Sequence, residues 1–361
     1  MKNGTKPSPF FSIIIPVYNG GCHFERCLSA IQRSRFFSWE LIVVDDGSTD
    51  GSDNLARQFG ARLFATGKRL GPAAARNIGA KIARGRYLFF IDADCEMHDD
   101  TLSNAASFLK KNKQVDAIFG SYDDSPSAPG FVAQYKNLFH HYVHQNGNEE
   151  ASTFWTGCGA IRRSCFLRLG GFDVQRYPRP SIEDIDLGYR LKQVDGEIRL
   201  VKNVQVKHLK EWTFSSLIKS DIFDRGIPWT RLIFRDKAFV GDLNLQTHNR
   251  VSVVTVYLLV LALFGSFFSI LALDLALGLA IVLFLLNTSV YRFFYHKRGF
   301  PFMLGAIPMH ALYYFYNGIS FGCGLLLHTW AKFQQESLRT PAPLDDPRKS
   351  ERELTYNRYG T

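Results

Sequence analysis

Apolar positions along the chain fall into two regimes. From Phe11 to about Asp94, short wholly apolar runs alternate with stretches patterned at helical spacing. Ser12–Val17, Glu40–Val44, residues 61–66 and residues 86–91 read as buried strands, with helices predicted near 24–34, 51–59 and 73–84 between them. Strands that are apolar throughout and separated by helices imply a parallel sheet covered on both faces. A helix near 99–111 and a strand at 115–120 continue the pattern, and Ser121–Gly130 reads as a loop or domain seam. Beyond it come a His-rich aromatic helix (131–144), a Gly-rich turn at Trp155–Gly159 and an acidic helix starting near Ser181.

After residue 250 the pattern changes. Val251–Leu273 is 23 residues without a charge, Asp274 interrupts, and Leu275–Tyr291 adds 17 more. About 20 apolar residues cross a bilayer, so these predict a helical hairpin with Asp274 near its tip. A third span, or a re-entrant pair, is predicted over 302–328, followed by a polar tail, 331–361. Basic residues at Arg250 and at Arg292, His296, Lys297 and Arg298 place both ends of the hairpin, and with them the head, in the cytoplasm.

Charge sharpens this division. Of 43 Lys/Arg and 33 Asp/Glu, only nine and six fall after Arg250. The stretch 199–237 holds nine basic against four acidic residues, with Phe214, Leu217, Ile218, Ile222 and Phe223 at helical spacing. A basic amphipathic segment (211–248) just before apolar helices suits an anionic membrane surface. The net charge of +10 lies largely beside that segment and no nucleic-acid motif accompanies it, so no nucleic-acid partner is expected. Six cysteines show no CxxC pair or zinc-ligand spacing, which fits reduced thiols in a cytosolic compartment.

In open parallel sheets, ligands bind beyond the carboxyl ends of the strands. Here those ends carry Tyr18-Asn19, Asp45-Asp46 and Asp92-Ala93-Asp94. In the turn beyond its strand, the Asp92/Asp94 pair could converge on one Mg²⁺ or Mn²⁺, with diphosphate and water completing the octahedron. Arg76 follows a Pro-opened, Ala-rich helix start and supplies a fixed cation with a planar donor fork. Ser181-Ile182-Glu183-Asp184 has the form of a capping box, so a helix cap competes with any catalytic role for Asp184. His208 is either structural or a metal ligand.

Ile14–Asn19, Val43–Asp50, Ala75-Arg76-Asn77-x-Gly79 and Asp92-x-Asp94 together resemble the family-2 glycosyltransferases of GT-A fold. Gly157–Arg163, Gly170–Asp173 and Glu183–Leu187 resemble that family's acceptor-side motifs, and the likeness covers roughly residues 10–210. It implies an α/β, Rossmann-like GT-A head (1–210) and inverting transfer of a hexosyl or N-acetylhexosaminyl group from a nucleotide donor, most often a UDP-sugar. By position, Pro16 and Tyr18 would line the base and Asp46 or Asp45 would hydrogen-bond it. Arg76 would lie against the nucleotide, Asp92 would reach ribose or metal, Asp94 would be the main metal ligand, and Asp184 the general base. Membrane-embedded polysaccharide synthases of this layout carry Gln-x-x-Arg-Trp before their spans, whereas this chain has Arg225-Gly226-Ile227-Pro228-Trp229. Trp229 could anchor at the interface or stack on a sugar. The missing signature favours adding one sugar to a lipid-linked acceptor over processive synthesis. The alternatives are an exopolysaccharide or glycolipid transferase, and a non-catalytic scaffold that binds nucleotide sugars.

Overall fold

The computed structural model describes residues 8–237 and 246–339. Parts of the expected interfacial segment (238–245) and of the polar tail (340–361) lie outside the described residues.

Eight strands, β1 (Phe11–Val17), β2 (Trp39–Asp45), β3 (Arg62–Ala65), β4 (Tyr87–Ile91), β5 (Cys95–Met97), β6 (Ala117–Tyr122), β7 (Cys158–Arg162) and β8 (Ile198–His208), form one sheet in the order β3-β2-β1-β4-β7-β6-β8-β5. The parallel half is β1, β2 and β4, which are largely buried on both faces, with β3 as a mostly exposed edge strand. Alternate residues of these strands feed two cores. Ile13, Ile15, Val43 and Phe89 pack with α1 (Gly21–Gln32) and α4 (Thr101–Lys111). Ile14, Ile42, Leu88 and Phe90 face the other way, toward α3 (Pro72–Ile82) and α6 (Arg163–Arg168). Truncating a ring as buried as Phe90 costs about 3–5 kcal/mol.

The other half is mixed. Strand β7 (Cys158–Arg162) runs antiparallel to both β4 and β6 (Ala117–Tyr122), while β8 (Ile198–His208) is parallel to β6 and antiparallel to β5 (Cys95–Met97). Cys158 and Gly159, expected in a turn, are therefore sheet residues. This half brings the end of β8, with His208, alongside the turn that follows β4, because Cys95 pairs with His208.

Helix α5 (Phe131–Asn146) joins the sheet to a helical appendage of α10 (Thr247–Gly265), α11 (Ile270–Leu286), α12 (Thr288–Arg298) and the 40-residue α13 (Phe300–Arg339). Tyr135, Leu138 and Phe139 of α5 share a core with Tyr291, Phe294, Tyr313 and Tyr314. A π-helical turn, Ser220–Gly226, is clamped between the two parts. Its buried Asp221 accepts from Lys136 Nζ at 2.5 Å and from Tyr316 Oη at 2.7 Å.

The hairpin break falls at 266–269, not at Asp274, which lies on the exposed side of α11. Ser266 Oγ turns back to the Leu263 carbonyl at 2.7 Å, so the short Gly-Ser turn ends the helix where a charge was expected to. Among the described residues, α10 alone is long and apolar enough to cross a membrane. The pair α11–α12, bent by 64°, makes a second if it is one span.

Candidate active site

The two aspartates closing β2 part company. Asp45 Oδ1 accepts the Ser48 N–H at 3.0 Å and serves its own turn, away from the cavity wall. Asp46 faces the cavity and holds the 66–71 loop: Oδ1 accepts from Leu70 N at 2.8 Å and Thr66 Oγ1 at 3.3 Å, and Oδ2 from Gly71 N at 2.8 Å. Gly71 has φ +91, and a Cβ there would meet the Pro178 carbonyl at 2.4 Å, so only glycine brings this loop to Asp46. The loop in turn places the Arg69 guanidinium 4.1 Å over the ring of Tyr18, which with Pro16 lines the mouth of the cavity.

Arg76, buried on the first turns of α3, spans two carboxylates. Nη2 reaches Asp92 Oδ1 at 2.7 Å and Nη1 reaches Glu183 Oε1 at 2.8 Å. Burial opposes its charge, but Asp92, Glu183 and Asp184 outweigh burial and raise its pKa. A buried guanidinium demands an anion, and one oxygen of Asp92 supplies it, while both Asp92 and Asp94 remain on the cavity wall.

Asp94 turns instead toward the end of β8. Its Oδ2 lies 3.5 Å from His208 Nε2, while His208 Nδ1 donates to Asn137 Oδ1 at 2.7 Å and the imidazole stacks on Tyr122. Burial pulls the Asp94 pKa up, but His208 and Lys210 pull it down further, to about 2. With Nδ1 committed to Asn137, Nε2 is the nitrogen presented to Asp94. A proton or a divalent cation between Nε2 and Oδ2 satisfies both. Among the described residues no group of three or more His, Cys, Asp or Glu side chains comes together as a metal site. One carboxylate and one imidazole nevertheless match the sparse protein ligation of Mg²⁺ or Mn²⁺, whose remaining positions go to phosphate and water.

Asp184 lies in the first turn of α7 (Glu183–Lys192) and takes up one of its free N–H groups, that of Ile185, but not as part of a capping box. The residue before the helix, Ile182, offers no side-chain bond, and Ser181 Oγ donates to the Asp224 carbonyl at 2.7 Å, so no capping box forms. Asp184 Oδ2 accepts from Thr156 N and Oγ1 at 3.1 and 3.2 Å, and Oδ1 from Ile185 N at 2.9 Å. Burial and the adjacent Glu183 charge raise its pKa to about 6, against the pull of those bonds and of Arg76. A carboxylate poised there, on a cavity wall, suits a general base near neutral pH.

One cavity of about 1020 Å³ joins these groups. Pro16, Tyr18 and Asp46 line one end; Arg76, Asp92, Asp94, His208, Glu183 and Asp184 lie along it. It continues past Trp229 to Arg250, Val253 and Val254 of α10 and to Tyr314, Asn317 and Phe321 of α13. The Trp229 indole donates to Tyr189 Oη at 3.2 Å with its ring on the wall. Gly157 is a different matter. It is buried behind Trp155, where a Cβ would sit 2.3 Å from the indole, so it seats Trp155 and does not line the cavity. The wall also holds groups to which the sequence assigned no role: Arg69, His140, His144, Trp155, Lys210 and Arg225. Only the His140/His144 pair left a trace, as two imidazoles four residues apart on one helix face.

Residues 12–170 match the family described as Glycosyl transferase family 2. A protein named "Uncharacterized glycosyltransferase" from Haemophilus influenzae is 38% identical over 112 residues, 30% of this chain and 45% of that one. Glycosyltransferase AglE of Haloferax volcanii is 32% identical over 142 residues, 37% and 46% of the two chains. The chain thus spans just under half the length of the curated relatives it matches. The solved mannosyltransferase PcManGT from Pyrobaculum calidifontis, in complex with GDP-Man and Mn²⁺, aligns with a TM-score of 0.54. The alignment covers 90% of this chain and 88% of that one, at 17% identity. At that identity the likeness speaks for the fold: α/β, Rossmann-like, of GT-A type.

Proposed function

We propose that this chain, whose residues 12–170 match the family-2 glycosyltransferases, transfers one sugar, with inversion, from a nucleotide-diphosphate donor to an amphiphilic, lipid-linked acceptor. The observation that carries this reading is the continuity of the cavity. It runs from the Tyr18–Asp46 end, past Asp94 and Asp184, to apolar and polar residues of the C-terminal helices.

In this reading the base of the donor lies against Pro16 and Tyr18, within reach of Asp46. Arg76, fixed by Asp92 and Glu183, offsets part of the carboxylate charge beside the nucleotide. Asp94 and His208 would hold a Mg²⁺ or Mn²⁺, which supplies neutralisation of the departing diphosphate. The acceptor oxygen bonds to the anomeric carbon as the bond from that carbon to the phosphate oxygen breaks, and its electron pair leaves with the diphosphate. The acceptor's proton passes to Asp184. A phosphate nucleophile is already anionic and needs no base, so a carboxyl held near 6 favours a hydroxyl acceptor.

Helix α10, the bent pair α11–α12 and α13 would rest in a membrane as a multi-pass anchor. The basic segment 211–248 would lie on its anionic surface, with the head on the cytoplasmic side. Exposed Leu261, Phe264, Phe267, Phe268, Ile270 and Leu271 around the α10–α11 turn support this.

The test is nucleotide-diphosphate release by the detergent-solubilised protein over a panel of nucleotide sugars, with and without membrane lipid extract and EDTA. Release that requires lipid and a divalent metal is the expected result. Donor binding without release under any condition would leave a nucleotide-sugar-binding scaffold.

A further inference from the structure

The cavity contains an ordered pair of imidazoles that the reaction above does not use. His144 Nδ1 lies 3.0 Å from the Gly120 carbonyl, an acceptor only, so Nδ1 carries a proton. In the neutral ring this leaves His144 Nε2 as a bare lone pair. His140 Nε2 sits 3.1 Å from that atom and must therefore be the donor. In neutral His140 the proton on Nε2 leaves Nδ1 bare in turn. The His140 ring lines the cavity, and no described residue donates to Nδ1.

Both rings are held neutral. Burial lowers the pKa of His140 well below its ordinary value, and the nearby Arg225 and Lys136 charges lower it further. Burial likewise lowers His144, to about 4, against its bond to Gly120. The carbonyl, two tautomers and two hydrogen bonds thus fix one outcome: an uncharged acceptor on a ring that lines the cavity. Its position is equally defined. The His140 ring meets Tyr122 edge-on at 4.7 Å, and Tyr122 stacks on His208 at 4.3 Å. Trp155, 5.5 Å from His140 and 4.8 Å from Tyr122, is next in sequence to the Thr156 that holds Asp184. His140 is thus one ring away from His208 and one ring away from the Thr156–Asp184 pair, on the wall of the cavity that holds both.

We propose that His140 is a specificity-determining residue, whose Nδ1 accepts a hydrogen bond from a hydroxyl of the transferred sugar, with His144 and the Gly120 carbonyl as the positioning groups that fix its tautomer. This rests on the glycosyl-transfer reading and refines it. A site built to accept a hydroxyl proton rejects the analogue lacking that hydroxyl far more strongly than a hydrophobic pocket rejects a smaller group.

The experiment compares the full-length protein with His140→Leu and His140→Gln on the preferred donor and its singly deoxygenated analogues. One deoxy donor should lose about 10–100-fold in kcat/KM with the wild-type protein. His140→Leu should show the same loss on the full donor and little further loss on that deoxy donor. His140→Gln, which restores an acceptor, should recover part of it, which a folding defect would not produce. If His140→Leu leaves kcat/KM within twofold, or if every deoxy donor still loses its full factor on His140→Leu, the assignment is wrong. Should the wild-type protein turn over no donor at all, the glycosyl-transfer reading itself fails, a result distinct from either.

Discussion

Replacing Asp184 by Asn separates catalysis from stability in opposite directions. Held near 6 against an ordinary 3.8, this carboxyl disfavours the folded state by about 3 kcal/mol once it ionises. The sign follows from the raised pKa: its favourable contribution is complete below about pH 4 and is lost as pH rises through 6. Asparagine never ionises, so at pH 8 the variant escapes that penalty. It gives up one acceptor, because a single amide oxygen cannot serve both Thr156 and Ile185 N–H groups, at a cost of about 1 kcal/mol. The net is about 2 kcal/mol of added stability at pH 8, vanishing or reversing near pH 4. Thermal melts of wild type and variant in the same detergent at both pH values read this, and the variant should melt a few degrees higher at pH 8 only. Nucleotide-diphosphate release should meanwhile fall about 10²–10⁴-fold. A variant that melts lower by the same margin at both pH values would refute the reasoning and return Asp184 to a structural role.

Four further outcomes follow from the same contacts. For the wild type, kcat/KM should fall tenfold per pH unit below about 6, as Asp184 takes up its proton; a flat profile down to pH 5 contradicts the assignment. Glu183→Gln should move that limb to lower pH, since the Glu183 charge is one of the two causes raising Asp184, and the shift is read from the same profile. Arg76→Met leaves Glu183 buried without its cation, so denaturation should show a loss of about 3–5 kcal/mol, far more than for the exposed Arg57→Met. Gly157→Ala should displace the Trp155 indole, seen as a change in tryptophan fluorescence together with reduced turnover.

Much of the head was legible because its strands are buried on both faces and so read as unbroken apolar runs, ending where Asp46, Asp94 and Tyr18 stand. What pairs with what was not legible. Arg76, Asp92 and Glu183 are distant in sequence, and only the fold shows that Asp92 is taken up by a guanidinium. Asp184 could be told from a helix cap only once Ser181 was seen bonded to Asp224. Gly157 misled for a related reason: a glycine kept for an indole looks the same in sequence as one kept for a ligand. In the appendage, 266–269 holds Phe267 and Phe268, so the turn there carries an apolar signature and Asp274 drew attention instead. His140 and Arg225 reach the cavity through the packing of α5 and a π-helical turn, neither of which has a motif.

The central claim, single-step transfer with Asp184 as base, is tested most directly by the anomeric configuration of the product. The lipid-soluble product formed from an α-linked nucleotide sugar would be isolated and the coupling constant of its new anomeric proton measured by NMR. A β-linked sugar, formed by the wild type and not by Asp184→Asn, is the predicted result. An α-linked product, or undiminished product from Asp184→Asn, would contradict it.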